Sequence, residues 1–249
     1  MADTILRPGG VALVTGASSG IGLAIAERLL AKGVRVIAVS RRREALEAAF
    51  AKAEGQVLIY PLDVTDGAAV AALPESLPSD WREIDALVVN AGSDVGGRQA
   101  FLDGNIEDFA RTIETNVTGV LRSCHAVMPG MLARGRGHVV IIGSIAGEAL
   151  YLHSNVYAAS KHAVHAFTGM LRLDYRNSPL RITEVLPGMV KTGFAAARHG
   201  GDTDKAEAFY DSFKAVLAPD DIAASVLFAL EQPLHVNIAQ ITVTPTGDM

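Results

Sequence analysis

The chain has 249 residues, enough for a sizeable core, and 49% are hydrophobic against 20% charged, which excludes a disordered chain. Lys and Arg number 22 against 27 Asp and Glu, a formal net charge of −5, so there is no basic footprint for nucleic acid or an anionic membrane, and any bound anion must be captured locally. The single cysteine, Cys124, allows no internal disulfide and no Cys-based metal site; segment 1–10 lacks a secretory pattern, no apolar run reaches membrane-spanning length, and a cytoplasmic protein without metal is expected.

In chain order, the first predicted strand covers 11–15 and runs into Thr15-Gly16-Ala17-Ser18-Ser19-Gly20-Ile21-Gly22, followed by a predicted helix over 20–32. Glycines at 16, 20 and 22 let the backbone turn tightly and approach a pyrophosphate, whose charge meets the free N–H groups of a helix N-terminus. The spacing G-x3-G-x-G differs from the G-x-G-x-x-G of the ordinary dinucleotide fingerprint. The next strand, 34–39, ends at Ser40 and is followed by Arg41, Arg42 and Arg43 at the start of a helix over 42–54. Cations there oppose the helix dipole, and no acid stands ready for a ribose 2′-hydroxyl, so the pattern points to a 2′-phosphate and hence to NADP(H). Arg41, with Ser40 beside it, is the expected main phosphate ligand, and Arg42 shares the role.

Further strands are predicted at 57–62, 86–89, 138–142, 182–186 and 238–243, with helices at 66–72, 107–133, 155–177 and 220–231. Several strands are apolar at every position, as strands covered on both faces must be. Seven strands with helical crossovers imply an α/β fold: one Rossmann-type domain over 1–249, built on a doubly wound parallel sheet. Segment 189–213, with Gly193, Gly200, Gly201 and many charges, breaks the rhythm and reads as a substrate lid or a surface excursion.

Chemistry is concentrated after the fifth strand. Tyr157 and Lys161 are four apart, so on a helix they share a face, and a neighbouring ammonium lowers the tyrosine pKa by favouring phenolate. Such a pair can move a hydroxyl proton near neutral pH. Ser144 follows the strand 138–142 at the carboxyl edge of the sheet, where it can donate to a substrate oxygen.

With TGASSGIG at 15–22, Asp63 in LDVTD, Asn90-Ala91-Gly92, Asn116 in TNVTG, Ser144, Tyr157, Lys161, and Pro187-Gly188 followed by Thr192, the sequence resembles the short-chain dehydrogenase/reductase family over nearly its whole length. The resemblance implies an NADP(H)-dependent alcohol dehydrogenase or carbonyl reductase. It makes Tyr157 the acid/base and gives Lys161 the ribose and the tyrosine pKa. Ser144 would position the carbonyl, and Asn116 would support a water relay to Lys161. Asp63, with Val64 beside it, would contact the adenine, while Asn90 steadies sheet and cofactor and Val190 and Thr192 lie by the nicotinamide carboxamide. Homotetramers are implied too, through helices 107–133 and 155–177 and the C-terminal strand.

With Leu77-Pro78, Trp81 and Ile84-Asp85 before the fourth strand, Gly143 to Gly147, Asn155-Val156-Tyr157, Gly201-Asp202 with Lys205-Ala206-Glu207, and His235-Val236-Asn237-Ile238, the sequence resembles more closely the NADP-dependent 3-hydroxy acid dehydrogenases that oxidise serine and related acids. An acid substrate requires a placed cation, and Arg198 is the candidate. Tyr151 is expected to line the pocket, as is Glu148, which would disfavour an acid if it faced inward. His199 adjoins Arg198, whereas His162 and His165 are read as packing or surface residues and Cys124 as a small buried hydrophobe. Rival readings are a reductase of a polyol, sugar or cyclic ketone, and a non-catalytic dinucleotide-binding regulator.

Overall fold

The computed structural model describes residues 4–198 and 200–247; His199 lies outside the described residues. Among them, seven strands form one sheet: β1 (Val11–Thr15), β2 (Arg35–Ser40), β3 (Val57–Pro61), β4 (Ile84–Val89), β5 (Gly137–Ile142), β6 (Leu180–Pro187) and β7 (Gln240–Val243). Every pairing is parallel, in the order β3-β2-β1-β4-β5-β6-β7. The chain starts at β1, builds outward to β3, then returns to lay β4 on the other side of β1. The carboxyl ends of β1 and β4 therefore flank the point where winding reverses, the crevice in which open α/β sheets hold ligands.

Strand periodicity explains why both faces are apolar. Ala12, Val14, Val36, Ala38, Ala86, Val88 and Val140 point into one core, shared with Ile25 and Leu29 of α1 (Gly20–Ala31), Leu46 of α2 (Arg43–Ala49) and Val226 and Leu230 of α9 (Pro219–Leu230). Their neighbours Val11, Leu13, Ile37, Val39, Leu87, Val89 and Val139 point into the other, shared with Leu73 of α3 (Gly67–Ser76), Met131 of α5 (Gly119–Arg134) and Val164 and Leu171 of α6 (Asn155–Asp174). A sheet covered by helices on both sides needs apolar residues at consecutive positions, which is the pattern visible in the sequence.

Three predicted helices are redrawn. The helix expected over 42–54 stops at Ala49, with Phe50 at its C-cap giving its N–H to the Leu46 carbonyl and burying its ring in the core. The one expected over 66–72 continues to Ser76, with Pro74 accommodated in its last turn. The helix expected over 107–133 is two, α4 (Ile106–Ile113) and α5, joined by a π-helical turn over Glu114–Thr118. Asn116 sits in that turn, and the extra residue swings its side chain inward to satisfy backbone groups of the loop after β4. The segment 189–213 holds two short helices, α7 (Phe194–Arg198) and α8 (Thr203–Asp211), packed around Ala195, Ala206 and Tyr210.

Candidate active site

The glycine-rich turn lies at the β1 end of the switch point. Gly16 has φ of +70°, and a Cβ there would come 2.7 Å from Asn90 Nδ2; one on Gly22 would collide with the Gly16 carbonyl. Gly20 also adopts a positive φ, and a Cβ on it would touch Thr192. Ser19 occupies the N-cap of α1 without making a side-chain cap bond, leaving the first N–H groups of the helix open to an anion. From the β4 side, the Asn90 and Ala91 N–H groups donate to Thr15 Oγ1 at 2.9 and 3.0 Å, and Asn90 Nδ2 donates to the Thr15 carbonyl at 3.0 Å. Asn90 thus stitches the two strands together beneath the turn.

Beyond β2, the Arg42 N–H donates to Ser40 Oγ at 3.3 Å and Arg42 Nη2 to Ser18 Oγ at 3.2 Å, so the Arg42 guanidinium leans over the glycine turn. Arg41 is exposed and Arg43 is paired with Glu47. Arg42 thus reaches the cradle through Ser18, and Arg41 stands beside it at the surface. Asp63 turns inward on Thr65, accepting from its N–H and its hydroxyl, while Val64 is buried against Gly119. Glycine positions that side chains would fill, an open helix N-terminus and a guanidinium over Ser18 together fit a pyrophosphate carrying a further phosphate.

Facing this cradle are the four residues expected to act in catalysis. Tyr157 and Lys161 share a face of α6; Lys161 Nζ is buried, donates to the Ile142 carbonyl at 3.1 Å and stands 5.9 Å from the Tyr157 ring centroid. Ser144, two residues beyond the end of β5, accepts from the Ala146 N–H at 3.1 Å and acts on Tyr157 to lower its pKa. Asn116 is buried, takes the Ser93 N–H on Oδ1 at 2.8 Å, and donates from Nδ2 to the Ser93 carbonyl and to Ser160 Oγ. Gly92 joins the two halves: a Cβ on it would sit 3.4 Å from Asn116 Oδ1 and 3.9 Å from Lys161 Nζ.

The electrostatics correct one expectation. Burial raises the Tyr157 pKa, opposed by the Ser144 hydrogen bond and the positive charges of Arg198 and Arg98, with Asp94 pushing the other way. Burial also pushes Lys161 down to about 8, partly offset by Glu184. In the protein alone the phenol is therefore held above its ordinary value, with the arginine charges pulling it back down.

Those arginines come from two places. Arg198, on α7, lies 5.9 Å from the Tyr157 ring centroid and 5.3 Å from those of Phe194 and Phe209. Its Nε pairs with Asp94 Oδ2 at 2.7 Å, with the two side chains 6% and 7% exposed. An incoming anion must therefore share Arg198 with Asp94. Arg98 follows Gly96 and Gly97, whose positive φ values lay the loop flat against Arg198; a Cβ on Gly97 would come 2.9 Å from Arg198 Cγ. Its guanidinium stands 6.0 Å from the Tyr151 ring centroid and 5.4 Å from that of Phe209. Sequence spacing gave no reason to join Arg98 or Asp94 to Tyr157, although both stand just beyond the carboxyl end of β4, where the ligand crevice of such a sheet opens. Glu148 receives a hydrogen bond from Gln240 Nε2 at 2.7 Å and is thereby engaged by β7.

On the lid side, Val190 bridges to Leu217 and is buried, Gly188 N–H donates to the Val243 carbonyl after Pro187 closes β6, and Thr192 exchanges hydrogen bonds with the Tyr210 hydroxyl through its N–H and carbonyl. Segment 189–213 is thus fastened at its base and rests on the site through Arg198.

A family model described as short chain dehydrogenase matches residues 10–202. The chain belongs to that family. The NADP-dependent 3-hydroxy acid dehydrogenase YdfG of Salmonella typhi is 41% identical over 236 residues, 94% of each chain. Sulfoacetaldehyde reductase 2 of Chromohalobacter salexigens is 36% identical over 239 residues, 95% of this chain and 94% of that one. Among solved structures, the closed form of serine dehydrogenase complexed with NADP+ superposes with a TM-score of 0.92 at 37% identity, covering 96% of each chain. The expected family, the doubly wound fold and the oxidoreductase class are borne out.

Proposed function

We propose that the chain interconverts an alcohol and its carbonyl with NADP(H), on a small substrate carrying an anionic group such as a 3-hydroxy acid. The carrying observation is Tyr157 at the carboxyl edge of the sheet, with the Lys161 ammonium and the Arg198 guanidinium each 5.9 Å from its ring centroid and Ser144 acting to lower its pKa. The naming of relatives for NADP and for acidic substrates supports both parts.

NADP(H) supplies or accepts the hydride when bound. Gly16, Gly20 and Gly22 with the N-terminus of α1, including Ser18, Ser19 and Ile21, hold its diphosphate; Ser40, Arg41 and Arg42 take the 2′-phosphate. Asp63 and Val64 border the adenine side. Asn90, Ala91 and Gly92, with Pro187, Gly188, Val190 and Thr192, frame the nicotinamide side. Ser144 donates to the substrate oxygen, Tyr157 gives or takes the hydroxyl proton, Lys161 holds positive charge beneath it, and Asn116 fixes the loop through which protons reach Lys161. Tyr151, Arg98 and Arg198 border the substrate, and Glu148 is engaged by Gln240 of β7.

The same proposal includes 189–213 as a lid on a single domain spanning 1–249, a cytoplasmic location, and a homotetramer. Exposed Ile113 and Leu121 on the α4–α5 unit and Met170 and Leu173 on α6 give the expected interface helices apolar faces. No described helix is long and apolar enough to cross a membrane. Initial rates with NADP on serine, other 3-hydroxy acids and neutral alcohols test the reading: turnover of the acids sustains it. Equal use of neutral polyols or cyclic alcohols would favour the rival substrate class, and equal use of NAD would reject the 2′-phosphate assignment.

A further inference from the structure

Glu184 lies in the middle of β6, fully buried, between Thr183 and Val185. Withdrawing a carboxylate from water costs several kcal/mol unless charges and donors compensate, and the tyrosine chemistry above does not use it. Its surroundings are specific. Glu184 Oε2 accepts from His165 Nδ1 at 2.9 Å. Oε1 accepts no hydrogen bond among the described residues and lies against Gly143, where a Cβ would come within 2.6 Å of it. Gly143 stands between Ile142, whose carbonyl takes the Lys161 ammonium, and Ser144. The carboxylate therefore sits under the corner that carries both.

His165 follows Lys161 by one helical turn, so both project from the same face of α6. The turn after Ser144 clamps that face: a Cβ on Gly147 would be 2.9 Å from the Lys161 carbonyl and 3.4 Å from His165 Cβ. The charged groups acting on Glu184 from α6 are Lys161, His165 and Arg172. From β7, Gln240 faces Glu184 in register and gives its amide to Glu148.

We propose that Glu184, anchored by His165, is a positioning residue: it supplies the buried negative charge that keeps Lys161 an ammonium ion beneath Tyr157. The catalytic consequence rests on the role assigned to Lys161 above; the charge coupling does not. Burial alone drives Lys161 toward the neutral amine, and Glu184 opposes that loss. Burial likewise raises Glu184, and His165, Arg172 and Lys161 pull it back toward carboxylate. The pair holds its charges jointly, and His165, partly exposed, links it to solvent.

The test titrates Lys161 in the cofactor-free chain by NMR of labelled lysine, its signal assigned from its loss in Lys161→Arg. Glu184→Gln lowers the Lys161 midpoint by about one pH unit, a tenfold change in its charged-to-neutral ratio, and shifts the alkaline limb of the kcat profile for carbonyl reduction the same way. His165→Leu, at the solvent-facing end of the pair, lowers the midpoint by less and remains informative if Glu184→Gln fails to fold. His165→Gln, which still donates to Glu184, restores it toward wild type. A Lys161 midpoint unmoved in a folded Glu184→Gln or His165→Leu chain overturns the proposal, even if activity falls. Absence of any alcohol or carbonyl turnover by the wild-type chain would instead be a failure of the proposed function, and leaves the titration to judge the pair.

Discussion

Tyr157 and Lys161 were legible because their four-residue spacing needs only a helix to become a shared face, and α6 supplies it. Replacing Tyr157 with Phe removes the transferable proton but no packing; turnover should fall to near background while NADP(H) affinity, read by fluorescence titration, stays within a few-fold. Undiminished turnover would refute the assignment. The two arginines separate differently. Losing a charge-assisted contact of about 1.5–3 kcal/mol corresponds to roughly 10- to 100-fold in kcat/KM. Arg98→Ala should lose that much on a 3-hydroxy acid and little on a neutral alcohol, whereas Arg198→Ala should weaken both, because it also leaves Asp94 buried without this guanidinium. Equal losses on the two substrates in Arg98→Ala would remove Arg98 from anion binding. Lys161 also marks stability. Its folded pKa, down to about 8, lies below the ordinary 10.5. Below about 8 both states hold the proton and burying the charge costs stability in full; between 8 and 10.5 only the unfolded chain holds it, so this residue's contribution rises with pH. The urea midpoint of Lys161→Met should therefore gain less than wild type on crossing that window, and parallel responses would contradict the linkage.

Among the elements, strands were easier to place than helices, since an apolar run between glycine-rich turns is unambiguous while helix ends depend on contacts far away. The π-helical turn at Asn116 is the instructive case: 107–133 has unbroken helical periodicity, and what interrupts it is the Ser93 backbone, presented by the loop after β4. Asn116→Ala leaves those buried groups without partners, at about 1–3 kcal/mol. Denaturant unfolding should show that loss together with reduced kcat; full stability would mean the turn forms without the asparagine. The two helices of 189–213 were invisible for a related reason: α7 and α8 are short, and they are held by Tyr210 on Thr192 and by Arg198 on Asp94 rather than by their own periodicity.

For the molecule as a whole, both cores share one sheet, so a central strand residue is felt on every side. Leu87→Ala, at a fully buried site in β4, should cost about 2–5 kcal/mol by urea denaturation without changing the chemistry. Assembly is tested by light scattering on the purified chain: a tetramer is expected, and a monomer at working concentration would dismiss the interface assigned to α4, α5 and α6. What the sequence determined alone was whatever depends on neighbours along the chain: strand and helix periodicity, the glycine turn, the Tyr157 and Lys161 spacing, the missing acid after β2. Only the folded sheet could decide which distant groups meet. It brought Arg42 to Ser18, set Arg98 and Asp94 beside Arg198, and laid Glu184 against Gly143, next to the carbonyl that takes the Lys161 ammonium. The reason is that these contacts join segments that lie apart along the chain and meet only because the sheet winds outward from β1 and lays their strand ends side by side, which leaves no mark on local sequence pattern.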